Sequence, residues 1–94
     1  DLIDIFDYIA LNDSVDSAFY VYDELETLTL SLSSQPQRGH YPPELESKGI
    51  RDYKELHFKP YRIIYEVVGN QVVVLGYFDG RRQMTVLLER RIFR

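Results

Sequence analysis

Apolar positions fall into two periodicities that divide the chain near its middle. Leu2, Ile5, Phe6 and Ile9 follow the i, i+3, i+4, i+7 spacing of an amphipathic helix of about three turns. The pattern stops near Asn12-Asp13, and Asp13 or Ser14 can cap a second helix running to about Ser34. Its stripe is Val15, Ala18, Phe19, Tyr22, Leu25, Leu28 and Leu32, with Tyr20 outside it. Gln35-Pro36 ends this helix, because the residue before proline is pushed out of the α region. Residues 36–50 carry two prolines and two glycines after Pro36 and read as an ordered loop wrapping a sheet edge, with a helical turn at Glu44-Leu45. From Tyr53 onward the period changes to two, and Tyr53–Phe58, Tyr61–Val68 and Gln71–Phe78 read as consecutive strands. Arg81–Arg94 is a basic end, either helical or a turn followed by an extended tail.

The strand pairing is set by the connections. Gly69-Asn70 suits a two-residue type II′ turn, with glycine at the position that needs positive φ. A regular register from that turn places Tyr61, Ile63, Tyr65 and Val67 on one apolar face with Phe78, Gly76, Val74 and Val72. The other face is mixed and open, with Arg62 opposite Tyr77. If the chain also reverses in two residues at Lys59-Pro60, His57 falls beside Arg62, giving a row His57–Arg62–Tyr77. Helices followed by strands predict an α+β fold over residues 1–94, a single domain. An N-terminal helical hairpin covers one face of a three-stranded antiparallel meander, and a short basic segment follows.

Charge sharpens the division. Residues 1–37 hold eight acids and no Lys or Arg, whereas residues 38–94 hold all eleven bases and seven acids, a balance of +4. A polyanion would be repelled by the first part and attracted to the second. The chain has no cysteine, which removes disulfides and thiolate chemistry and is compatible with a cytoplasmic location. No apolar run approaches the roughly 20 residues of a membrane span. No metal-ligand spacing, phosphate-binding glycine loop or Ser/His/Asp arrangement stands out, and nothing suggests a cofactor.

Several segments, in order, carry a resemblance: DLIDIFDYIA, LSSQPQRG, ELESKGIRDYKELHF, PYRIIYEV and VVVLGYFDGRR. Together they resemble the RelE/ParE toxins of bacterial type II toxin–antitoxin systems. The resemblance implies a cytoplasmic toxin, associated with growth inhibition and plasmid stabilisation. It would be held in a hetero-oligomer by a cognate antitoxin and reach operator DNA only through that complex. Such proteins usually open with a short strand before the first helix, and that strand is absent here, since Asp1 already lies in the helical pattern. The expectation is that it has been lost or is supplied by a partner.

The RelE branch cleaves mRNA on the ribosome, which requires proton-transfer groups and cations around the phosphorane. By resemblance Arg62 matches the family's strand arginine, Arg82 the basic residue after the last strand, and Lys54 one strand lysine, with His57 a substitute base. The second strand lysine is replaced by Glu55 or Leu56, and Leu88 stands near the place of the C-terminal tyrosine. These losses turn the expectation toward the ParE-like branch, whose members inhibit DNA gyrase by protein contact. Partner-binding residues would be Arg62, Tyr77, Arg81, Arg82, Arg90 and Arg91. On the RelE-like alternative, Arg62→Ala is expected to abolish cleavage and keep the fold. A third possibility is an antitoxin-binding module without toxicity. The residues also leave open a bland role for Arg62, as cross-strand partner of Glu55 or Glu66.

Overall fold

The computed structural model describes residues 2–81 and Leu88. Helix α1 spans Leu2–Asn12 and helix α2 Val15–Ser31. Ser14 separates them in extended backbone, and its hydroxyl accepts from the Ser17 amide at 3.0 Å. This satisfies one of the amide donors that every helix start leaves open. A short helix α3, Pro43–Glu46, sits in the following loop where the helical turn was expected. Its end is closed by Gly49 at φ 77, with the Ile50 amide bonded to Leu45 and the Gly49 amide to Glu46. That is the Schellman pattern, and glycine enters the left-handed region without steric cost.

Strands β1 (Lys54–Phe58), β2 (Tyr61–Val68) and β3 (Gln71–Asp79) form an antiparallel sheet in the order β1-β2-β3. The architecture is the expected α+β arrangement. Gly69 has φ 60 and, among the described residues, no non-glycine residue has positive φ, so the β2–β3 turn has the sign pattern of type II′. The β1–β2 connection is likewise two residues, Phe58 pairing with Tyr61 across a cis Lys59-Pro60 peptide. A cis proline at the third position of a turn is the type VI form, which accommodates Pro60 where a primed turn would not.

One part of the register differs from expectation. Val68 to Tyr65 pair with Gln71 to Val74 as predicted, but a bulge between Ile64 and Tyr65 shifts everything beyond it. Arg62 therefore faces Phe78, and Tyr77 faces Ile63. Leu75 is the extra residue, and Gly76 follows it beneath the Phe78 ring, where a Cβ would come within 2.9 Å. A lone glycine in a strand pattern is the sequence mark of such a bulge.

The shift gives the sheet two covered faces. On one, Ile9, Ala18, Leu25 and Leu32 of the helical side pack against Leu56, Tyr61, Ile63 and Tyr65. On the other, Leu45 of α3 and Leu88 pack with Ile64 and Phe78. The second face, expected to be open, thus holds a small core of its own. The helical stripe is correct at Ala18, Leu25 and Leu32 but not throughout. Val15 and Phe19 are more than half exposed, with Phe19 set edge-on against Phe6 at 4.9 Å between centroids.

Candidate functional site

The loop before α3 builds one wall of a charged cluster. His40 and Glu55 form a single antiparallel bridge, His40 N–H donating to Glu55 O at 3.1 Å and Glu55 N–H to His40 O at 2.7 Å. The loop is clamped further by the Gly39 amide, which donates to the Tyr65 hydroxyl at 3.0 Å, while that hydroxyl donates to Pro36 O at 2.9 Å. Side chains of Glu55 and His57 point from alternate β1 positions to the face that carries Arg62, directly across from His57. The expected pairing of His57 with Arg62 is present.

Glu55 is the centre. Its side chain is 1% exposed and every described buried polar side-chain atom has a partner. Arg62 Nε donates to Glu55 Oε2 at 2.6 Å, and both His40 Nε2 and His57 Nε2 approach Oε1, at 2.9 and 3.0 Å. The rest of the guanidinium is taken by Glu44 of α3, with Nη1 to Oε2 at 2.7 Å and Nη2 to Oε1 at 2.8 Å. Arg62 is thus shared between two carboxylates, and its side chain is only 12% exposed. Gly80 closes the roof, since a Cβ there would meet Pro60 O at 2.9 Å and Arg62 Cδ at 3.1 Å. Of the two strand glutamates considered as partners of Arg62, the structure selects Glu55.

The paired charges shift one another. The hydrogen bond from Arg62 holds the Glu44 carboxyl below its ordinary value of 4.5, against an opposing push from burial. The hydrogen bond that Arg62 donates to Glu44 raises the Arg62 pKa in turn, against the cost of burial. Because the Glu44 pKa is lower folded than unfolded, its stabilisation is complete above the unfolded pKa and is lost as pH falls through the folded one. Glu44→Gln should therefore lower neutral-pH stability by about 1.5–3 kcal/mol, the scale of a hydrogen bond to a charged group. It should also flatten the decline of the melting temperature below pH 4.5, measured as a pH series against wild type.

Other expected site residues lie apart from this cluster. Lys54 pairs with Tyr65 and so lies on the helix-covered face, its Nζ 4.3 Å from the centroid of Tyr41. Tyr77, expected beside Arg62, is carried to the same covered face by the bulge, with its hydroxyl 2.9 Å from Thr29 Oγ1 of α2. Arg81 is exposed and forks onto Asp79, with Nη2–Oδ2 at 2.7 Å and Nε–Oδ1 at 2.9 Å. Arg82, Arg90 and Arg91 lie outside the described residues. Leu88, near the place of the RelE-type tyrosine, is fully buried in the second core. Two residues the sequence reading passed over, His40 and Glu44, complete the cluster. No periodic signal marks either, because His40 sits in an irregular loop and Glu44 in the single turn of α3.

A separate surface lies on the helical hairpin. Ile3, Phe6, Phe19 and Tyr22 line a shallow apolar depression of about 230 Å³. It belongs to the part of the chain with eight acids and no Lys or Arg.

Among known families, residues 1–84 match the ParE toxin of the type II toxin–antitoxin system, parDE. The chain belongs to the ParE toxin family. No curated protein matches it. Membership makes this ParE-family protein the toxin of a type II toxin–antitoxin pair and implies an antitoxin as its partner. Among the described residues no helix is long and apolar enough to cross a membrane.

Proposed function

We propose that this ParE-family toxin acts by protein–protein contact on DNA gyrase and is neutralised by its antitoxin. The observation that carries this reading is the state of Arg62. A guanidinium already saturated by Glu44 and Glu55 has no open fork for a scissile phosphate. Lys54, the other strand cation that RNA cleavage would recruit, is on the opposite face of the sheet. Support also comes from the apolar depression on the acidic helical side, where Phe19 is 54% exposed. Apolar surface on an acidic segment suits a protein partner, and the segment's charge repels a phosphate backbone.

The test is supercoiling of relaxed plasmid by purified gyrase with increasing toxin. Inhibition that antitoxin reverses is the expected result. Full supercoiling at a large molar excess of folded toxin would overturn the proposal. Cleavage of mRNA in a translating extract would transfer the activity to the ribosome.

A further inference from the structure

We infer that His40, Glu55 and His57 form a binding site for a divalent cation of the zinc type, independent of the toxin's target. The three residues come together by register rather than by sequence spacing. Glu55 and His57 are alternate residues on one face of β1, and His40 is the bridge partner of Glu55. Their ligand atoms, two imidazole nitrogens and one carboxylate oxygen, all lie within 4.8 Å of one another. The two imidazole nitrogens already converge on the same oxygen, at 2.9 and 3.0 Å. Donors held tetrahedrally at about 2.0–2.2 Å from zinc stand roughly 3.3–3.6 Å apart, so shifts of a few tenths of an ångström in the two imidazoles would admit the ion. Those side chains are the exposed members: His40 is 57% exposed and His57 45%, so a cation can enter from solvent.

Charge and donor type favour the same occupant. Glu44 and Glu55 contribute two negative charges and Arg62 one positive, which leaves the cluster one charge short while the imidazoles are neutral. Glu55 Oε1 is the carboxylate oxygen turned toward the histidines. Arg62 fixes the other carboxylate oxygen and would act as the outer partner that orients the ligand. Two imidazoles with one carboxylate suit Zn²⁺, Ni²⁺ or Co²⁺ and are a poor cage for Mg²⁺, which prefers oxygen. Three protein ligands leave a fourth position for water or a partner's side chain. Since His40 is on the docked loop and the other two are on β1, an occupied site would tie that loop to the sheet.

The test is titration of the purified protein, stripped with a chelator, against ZnCl2, with MgCl2 in parallel. Calorimetry should give one Zn²⁺ per chain and no saturable Mg²⁺ binding. ZnCl2 should raise the melting temperature. His40→Ala and His57→Ala should each weaken Zn²⁺ binding at least about tenfold, since losing even an outer partner of a ligand costs about that much. The more conservative His40→Gln and His57→Gln should do the same with unchanged circular dichroism, which separates ligand loss from misfolding. Absence of saturable Zn²⁺ binding, or undiminished affinity in the folded double Gln variant, would overturn the assignment.

Discussion

Arg62→Ala should cost about 3–5 kcal/mol of folding stability, the usual consequence of breaking a buried ion pair from one side. A domain of this size has only roughly 5–15 kcal/mol in total. The denaturant midpoint should therefore fall steeply with little change in slope. The damage concentrates on Glu55. With its side chain 1% exposed, its carboxylate cannot rehydrate where it stands, whereas Glu44 at 26% can turn toward water. Adding Glu55→Gln to Arg62→Ala should restore more than half of the loss, because the stranded charge is gone. Adding Glu44→Gln should restore little. A wild-type midpoint in Arg62→Ala would mean that the guanidinium is dispensable to the fold and free for another task. The expectation that Arg62→Ala would abolish activity and keep the fold thus meets a structural objection. Loss of toxicity in that variant would report unfolding as readily as loss of a contact, so functional tests belong on exposed positions such as Arg81 or Phe19.

The elements were legible because their signals are local. Helix spacing in residues 2–32, the Gly69-Asn70 turn and the β-branched strands each declare themselves within a few residues. Pairing of His57 with Arg62 followed from counting across one short turn. A regular register holds only as far as the Tyr65–Val74 pair, and its extension past Leu75 puts Tyr77 and Phe78 on the wrong faces. Glu55 was visible as a possible partner of Arg62, but its burial was not. That depends on α3 and the His40 loop lying over a face whose own sequence is mixed. Tertiary placement of an irregular segment leaves no periodic trace, so His40 and Glu44 were passed over although both side chains finish the cluster.

Gly39→Ala should undo that placement while leaving the helices and sheet intact. A Cβ at residue 39 would stand 2.6 Å from Glu55 O and 2.6 Å from Tyr65 Oη, closer than real Cβ contacts allow. Neither neighbour can withdraw freely. The Glu55 carbonyl accepts the His40 amide, and the Tyr65 hydroxyl is held by Pro36 O inside the main core. The loop must move instead, at the roughly 1–3 kcal/mol typical of overpacking. Because the bridge is lost with it, amide exchange at Glu55 and His40 should accelerate together, while exchange at Ile63 and Tyr65 in β2 follows only the global change. Combining Gly39→Ala with Tyr65→Phe should not restore docking, because it relieves the hydroxyl clash but leaves the carbonyl one and removes the hydroxyl's bonds to Gly39 N–H and Pro36 O. If Gly39→Ala leaves Glu55 exchange unchanged, the loop is held by the Arg62–Glu44 fork at its far end rather than by the close approach at Gly39. The His40 wall of the cluster would then be set by α3, and the two ends of the loop would be separable by mutation.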